Sequence, residues 1–492
     1  LSDFIECSVV VLTCGDVRKI PVGEVVERGY SNGFCTVLFA SPPKCIITNA
    51  TKIRYGSKCE YSEESLTNNI LITERCNGSR KVYAYPKKVY ELLKKLYILP
   101  VAEGRPPYSN GLLIAGAPGT GKTAIAKIMA RMLGIEPTMV RPDNVLSKYV
   151  GESEKRIRNI FTEAKKNLPS VIIFDDSDVF LSARTLASTH TSEQYLRNIQ
   201  QIIFDEMQSI SDSKLPLLII ATTNVKTSEI DQAFLRGGRF GDPIYIPLPD
   251  EEAMFYVLKE ILSENEAREL SRKLVNAGLS MADAIDYAVK KKTLGIEEIP
   301  SRSGRGYSRV SVDIVPDFER AIPDYIKKIL RSGTLWRIYI PEIPEIGVAI
   351  GVQIAYLLRR PPIWVTDERY LDEAVHITNM LEGLLIASTT MSLYSISYIL
   401  FNAKTPVIFA GETPVSSAYT VPLGSLMYSL ESKILLIKAV ANFKNVKIPA
   451  TLERKLRGMM LNEKLVESIL HYIISTGYID EHVIDNLNVL YR

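Results

Sequence analysis

Gly116-Ala117-Pro118-Gly119-Thr120-Gly121-Lys122-Thr123 is the stretch that decides how this chain is read. The apolar run Leu112-Leu113-Ile114-Ala115 precedes it, and a helical pattern over residues 124–133 follows. A strand, a glycine-rich loop and a helix opening on Lys-Thr together form a phosphate-binding P-loop. Glycines let the backbone wrap a polyphosphate closely, and the loop N–H groups and the helix N-terminus supply positive potential. Lys122 is placed to reach the β- and γ-phosphates, and the Thr123 hydroxyl to ligate Mg²⁺. The expected nucleotide-binding set is Gly116, Ala117, Pro118, Gly119, Thr120, Gly121, Lys122, Thr123 and Ala124.

A second signature lies downstream, Val171-Ile172-Ile173-Phe174-Asp175-Asp176. A buried strand ending in Asp sets a carboxylate beside the metal of a bound nucleotide. Asp175 is the candidate for that metal-shell role alongside Thr123, and Asp176 for activating water. Around these stretches, residues 111–250 alternate strand and helix, the pattern of a parallel α/β sheet whose ligands sit at the carboxyl ends of the strands.

The same region resembles the AAA ATPases, over about residues 85–320. Residues 147–154, Ser-Lys-Tyr-Val-Gly-Glu-Ser-Glu, are similar to the family's first pore loop and the helix behind it. The resemblance implies that Lys148, Tyr149 and Val150 face a central channel, with Tyr149 gripping a polypeptide. Ala221-Thr222-Thr223-Asn224 resembles the strand that ends in the γ-phosphate sensor, which assigns Asn224. Residues 230–240, Ile-Asp-Gln-Ala-Phe-Leu-Arg-Gly-Gly-Arg-Phe, resemble the second region of homology and supply Arg236 and Arg239. Arginine suits that place because its fixed, always-charged fork can neutralise transition-state phosphate charge across a subunit boundary. The catalytic set implied is Lys122, Asp175, Asp176, Asn224, Arg236 and Arg239, acting on ATP with Mg²⁺ in a homo-hexameric ring.

Three departures from the family pattern stand out. Asp176 replaces the usual Glu, which shortens its reach. Gly241-Asp242-Pro243 replaces the usual Asp-Arg after Arg239-Phe240. Met281 stands where a Gly is usual in the lid motif of residues 278–283, near the adenine.

With 492 residues, the chain predicts several domains. These are a β-rich region (1–80), the P-loop α/β subdomain (81–250), a helical lid (251–328), a second α/β domain (329–425) and a helical end (426–492). Within the second α/β domain, residues 347–365 are similar to a segment of nucleoside deoxyribosyltransferases. Gly351 stands where those enzymes need a catalytic Glu, so no second activity follows. The chain opens on Leu1 without a secretory signal, which reads as a trimmed or partial chain. A formal charge of +3 implies neither nucleic acid nor an acidic membrane as partner. A winged helix near Arg454, Lys455 and Arg457 is the sole sequence support for nucleic acid, and an ordinary helical tail is the preferred reading.

All six cysteines precede the P-loop, at Cys7, Cys14, Cys35, Cys45, Cys59 and Cys76, with no C-x-x-C pair. Buried free thiols in strands are expected, with disulfides as the alternative. Residues 383–403 carry no charge and are long enough to span a bilayer. Their Ser and Thr content and their split into strand-like and helical halves argue against a membrane span.

The expected function is a cytoplasmic, ring-forming ATPase that remodels or threads a protein substrate, with terminal domains choosing client or adaptor. A nucleic-acid motor and an ATP-bound scaffold ring with little turnover are the alternatives. The slow hydrolysis implied by Asp176 is the best argument for the scaffold.

Overall fold

The computed structural model describes residues 7, 9–14, 23–27, 30–32, 35–41, 44–55, 59–76, 78–102, 105–132, 134–145, 152–182, 190–225, 229–236, 239–300, 307–333 and 335–490. The chain divides into two compact units, Leu1–Pro247 with Ser280–Ile285, and Leu248–Leu279 with Asp286–Arg492.

The first unit begins with short strands separated by turn residues: β1 (Val9–Cys14), β2 (Val25–Glu27), β3 (Cys35–Ser41), β4 (Lys44–Ile46) and β5 (Lys52–Tyr55). β1 lies between antiparallel β3 and parallel β5, and β2 pairs with β4. Val10, Leu12, Val26, Val37, Cys45 and Ile47 form their common core. An antiparallel sheet follows, β6 (Glu60–Ser65), β7 (Asn69–Cys76) and β8 (Ser79–Pro86).

The cysteines correct the free-thiol expectation. Cys7 is disulfide-bonded to Cys45 and Cys59 to Cys76, and no cysteine among the described residues is free. Strand pairing explains both bonds. The Cys7 N–H donates to the Ile46 carbonyl, and Glu60 opposite Arg75 brings Cys59, just before β6, beside Cys76, the last residue of β7. Cys14 likewise sits opposite Cys35 in the β1–β3 register.

After β8 come α1 (Lys87–Leu93), a π-helical turn (Lys94–Ile98) and α2 (Leu99–Ala102). The chain then runs β9 (Gly111–Ala115), α3 (Lys122–Met132), β10 (Thr138–Val140), α4 (Pro142–Val145), α5 (Glu152–Lys166), β11 (Ser170–Phe174), α6 (Asp178–Leu181), α7 (His190–Asp212), β12 (Leu217–Thr223) and β13 (Ile244–Tyr245). These five strands form one parallel sheet in the order β10-β11-β12-β9-β13. Strands covered by helices on both faces need apolar residues throughout, and every position of β9, β11 and β12 is buried. Phe161, Phe174, Phe180, Phe204 and Phe234 fill one side of this sheet.

The second unit opens with α8 (Glu251–Leu258) and α9 (Glu264–Asn276), capped by Asp250 and by a Ser263–Glu266 capping box. α10 (Met281–Leu294) begins in the first unit and continues in the second. Residues 295–300 and 307–316 are not helical: β14 (Tyr307–Ser308) pairs antiparallel with β16 (Pro362–Val365), and a Gln353 side chain ties residues 313–315 down. The helical reading of the lid gives way here, because Tyr307 and Ser308 gain ladder hydrogen bonds to β16 instead.

α11 (Asp324–Arg331) leads to β15 (Arg337–Ile340), α12 (Pro344–Leu357), β16, α13 (Leu371–Leu381), β17 (Leu384–Ser388), α14 (Leu393–Asn402), β18 (Val407–Ala410) and β19 (Tyr419–Thr420). The strand order is β14-β16-β17-β18-β15-β19, parallel throughout except for β14. The uncharged stretch 383–403 is split between β17 and α14, and no described helix is long and apolar enough to cross a membrane. Four helices close the chain, α15 (Leu430–Phe443), α16 (Ala450–Gly458), α17 (Glu463–Thr476) and α18 (Glu481–Leu490). A wing requires a strand pair, and residues 428–490 contain none, so the end is helical without the winged form.

Candidate functional site: a phosphate loop at the carboxyl ends of a parallel sheet

β9 ends at Ala115, and the chain must turn sharply to start α3 at Lys122. Gly116 adopts φ +141°, and a Cβ there would lie 2.5 Å from the Ile246 carbonyl oxygen. Gly121 adopts φ +93°, and its Cβ would come within 2.9 Å of the Tyr85 hydroxyl. Only glycine fits either place. Thr120 Oγ1 donates to the Ala117 carbonyl, 2.9 Å, closing the loop from within.

Lys122 is 7% exposed. Its Nζ donates to the carbonyls of Gly116 and Ala117, each 2.9 Å away, and to Asn224 Oδ1 at 2.7 Å. Those three acceptors are uncharged, so an anionic phosphate oxygen would make a stronger partner for the ammonium. Asn224 is held in turn by Asp178, whose Oδ1 accepts from the Asn224 N–H (3.0 Å) and Thr223 Oγ1 (2.7 Å).

Asp175 is only 2% exposed, and four donor atoms satisfy its carboxylate. Thr123 Oγ1 donates at 2.6 Å and Thr222 Oγ1 at 3.0 Å, both to Oδ1. Arg141 Nε and Nη2 donate to Oδ2, at 3.2 and 3.1 Å. Asp176 is exposed and sits at φ 50°, a left-handed conformation that Asp tolerates better than most residues. The cradle, the buried ammonium and the hydroxyl–carboxylate pair fit a nucleotide polyphosphate with a divalent cation.

The arginines separate. Arg236 is exposed, whereas Arg239 lies 4.0 Å over the Phe204 ring and donates to the Ala233 carbonyl at 2.6 Å. Lys148, Tyr149 and Val150 lie outside the described residues. At the lid motif, the Ala282 N–H donates to the Gly119 carbonyl, 3.1 Å, and Asp283 caps the start of α10 through Ser280.

Two residues at this site escaped sequence reasoning. Arg141 had no motif; its signal was a lone cation one residue past a strand that neighbours the Asp175 strand. Tyr85, at the end of β8, is buried and donates from its hydroxyl to the Gly121 carbonyl at 3.0 Å. On the same sheet Glu74 accepts from Tyr61 (2.5 Å), Tyr83 (3.1 Å) and Arg131 of α3 (2.7 Å). Burial pushes the Glu74 pKa upward, but the two phenols and the guanidinium outweigh it and hold the carboxyl below its ordinary value. The phosphate-loop helix is thus hydrogen-bonded to the β6–β8 sheet at both ends, through Gly121 and Arg131.

A parallel sheet with this loop, this buried carboxylate and this sensor amide defines a P-loop nucleotide-binding protein. Residues 112–248 match the model of the ATPase family associated with various cellular activities (AAA), which places an AAA module in this part of the chain. An uncharacterized protein, ORF529, of Acidianus two-tailed virus is 31% identical over 285 residues, covering 54% of this chain and 52% of that protein. Protein SAV of Sulfolobus acidocaldarius is 37% identical over 183 residues, covering 37% and 21%. The proteasome-activating nucleotidase of Methanoregula boonei is 35% identical over 190 residues, covering 38% and 41%. The chain spans about half the length of the first of these relatives and less of the other two.

Proposed function

We propose that this AAA protein hydrolyses ATP at a site shared between neighbouring subunits of a ring and uses the cycle to remodel or thread a protein substrate. The observation that carries the reading is the convergence of Lys122, Thr123, Asp175 and Asn224 at the carboxyl ends of β9, β11 and β12. Lys122 would bind the β- and γ-phosphates and Asn224 would orient the γ-phosphate. Asp176 would hold the attacking water. Mg²⁺, carried by Thr123 and Asp175, would supply charge neutralisation at the phosphates when bound.

Arg236 is exposed, which suits a charge offered to an adjacent copy. Arg239 is read as the residue that steadies this loop on Phe204 while lending charge to the same boundary. The ring in this reading is a homo-hexamer, with Tyr149, flanked by Lys148 and Val150, as the channel-facing grip. A green fluorescent protein with an unstructured tail serves as a test substrate: ATP-dependent loss of fluorescence supports remodelling. Its absence under active hydrolysis would contradict that part of the reading.

A second reading is a scaffold ring with little turnover. It rests on Asp176, whose carboxylate is one methylene shorter than glutamate and projects from a left-handed residue. Water positioning tolerates such displacement poorly. Restoration of fast hydrolysis by Asp176→Glu would favour it.

A further inference from the structure

Glu74 and the Cys59–Cys76 disulfide crowd one end of the β6–β8 sheet. Both sulfurs and a carboxylate oxygen of Glu74 lie within 4.8 Å of one another. Strand register produces this cluster. Tyr61 stands opposite Glu74 and Glu60 opposite Arg75, and the disulfide closes the next rung, Cys59 to Cys76. β7 therefore ends on a covalent bond two residues past the carboxylate.

Two links run from this sheet to the phosphate-loop helix. Near the end of α3, Arg131 Nη1 donates to Glu74 Oε1 at 2.7 Å, and the Tyr61 hydroxyl donates to the same oxygen. At its start, the Gly121 carbonyl accepts from Tyr85 of β8 at 3.0 Å and from the Ile125 N–H at 3.0 Å, within the first turn of the helix. Lys122 and Thr123 are the first two residues of α3. A helix held at both ends fixes where their ammonium and hydroxyl groups stand, and the disulfide is the covalent part of the frame that holds it.

The two disulfides differ in access. Cys7 and Cys45 are 1% and 0% exposed, whereas Cys59 and Cys76 are each partly exposed. Thiol–disulfide exchange needs an attacking thiolate to reach a sulfur, so a reductant meets Cys59–Cys76 first. A dithiol supplies two electrons and two protons: the S–S bond breaks, two thiols form on the chain, and the dithiol closes to its own disulfide. The freed sulfurs must then separate to van der Waals distance beside a buried carboxylate. That separation displaces the end of β7 on which Glu74 sits.

We propose that the Cys59–Cys76 disulfide sets the nucleotide affinity of the phosphate loop, with Glu74 as the positioning residue that carries its state to α3: bonded, the site binds tightly, and reduced, it binds weakly. The inference rests on nucleotide binding at the loop and needs no ring. The test titrates the full chain with a fluorescent ATP analogue and Mg²⁺, in oxidised form and after mild treatment with dithiothreitol. Alkylation and mass spectrometry identify the opened cysteines. Cys59 and Cys76 should open while Cys7 and Cys45 stay bonded, and Kd should rise about tenfold, the worth of one charge-assisted hydrogen bond. Oxidised Glu74→Gln should already show the raised Kd, to which dithiothreitol adds little. Cys59→Ser/Cys76→Ser should match the reduced wild type and ignore the reductant. All are measured well below the melting temperatures, where a loss of stability alone leaves Kd unchanged. An unchanged Kd on opening, the same shift in Glu74→Gln as in wild type, or a Cys59→Ser/Cys76→Ser Kd equal to that of the oxidised wild type would each overturn the inference and leave the loop reading standing. No nucleotide bound by either form would overturn the loop reading and the inference with it.

Discussion

Arg141 and Asp175, each the first residue past a neighbouring strand of the parallel sheet, form an ion pair in which two guanidinium nitrogens share one carboxylate oxygen at 3.1 and 3.2 Å. The carboxylate proposed to serve a divalent cation is thus already held by a cation of the chain. Arg141 must loosen its grip before Asp175 can act, so the guanidinium and the metal compete.

That competition sets the first expectation. Arg141→Gln should lower the Mg²⁺ concentration needed for half-maximal ATP binding by about tenfold, the worth of a charge-assisted hydrogen bond. Titrating Mg²⁺ against a fluorescent ATP analogue reads this directly, with EDTA controls. An unchanged or increased requirement would show that Arg141 does not oppose the metal.

Lys122→Ala should abolish measurable nucleotide binding at micromolar concentrations, since it deletes the only cation that reaches into the loop from α3. Calorimetry on the wild type should find one nucleotide per chain. Residual binding in the variant would place a nucleotide somewhere other than this loop.

The Tyr85 and Glu74 contacts predict a mechanical dependence of the phosphate loop on the β6–β8 sheet. Tyr85→Phe removes one buried hydrogen bond to Gly121 and should cost about 1 kcal/mol. Glu74→Ala leaves Arg131 with Glu136 alone, 3.5 Å away, takes the acceptor from two phenols and should cost about 3 kcal/mol. Chemical denaturation curves of the two variants test the order. Equal costs would mean that the Glu74 cluster is not the anchor.

A pH dependence follows from the same carboxylate. Glu74 has a folded pKa below its unfolded value, because hydrogen bonds from Tyr61 and Tyr83 and the Arg131 charge outweigh burial. Its contribution is therefore full above the unfolded pKa and is lost as pH falls through the folded one. Melting temperature should drop on acidification, and the drop should be smaller in Glu74→Gln. An identical acid profile in the two proteins would remove Glu74 from the account.

The disulfides carry a further expectation. Cys59–Cys76 and Cys7–Cys45 close loops of 17 and 38 residues in sequence separation. Reduction should cost about 3 kcal/mol for such loops and should act first on the β strands ahead of the phosphate loop. Hydrogen exchange with and without reductant would show greater protection loss at residues 9–76 than at 111–223; a uniform loss would contradict it.

The sequence made the phosphate loop and Asp175 legible because their chemistry is local: glycines, Lys122, Thr123 and a strand ending in a carboxylate follow one another within short runs. Asn224 needed the family resemblance, since an amide after a strand has many uses. Arg141 and Tyr85 could not be read at all. Their partners lie 34 and 36 residues away, and only strand pairing brings them together. The cysteines failed for the same reason, because free and bonded states differ only in cross-strand register. In the second sheet β15 to β18 are apolar runs, whereas the two-residue β14 and β19 carry no such signal, and the strand order is a property of pairing, which composition does not carry.

The central claim, a hydrolytic site completed by a neighbour, is tested most directly by mixing two inactive variants. Lys122→Ala lacks the cation proposed to bind the phosphates, and Arg236→Ala lacks the one proposed to reach the adjacent copy. Each alone should hydrolyse ATP at a small fraction of the wild-type rate, and wild-type turnover per chain should rise with protein concentration. Mixed in equal amounts, the two variants should regain activity, because some interfaces then pair an intact loop with an intact arginine. A mixture no more active than its components, beside a wild type whose turnover is independent of concentration, would show that each chain hydrolyses ATP alone.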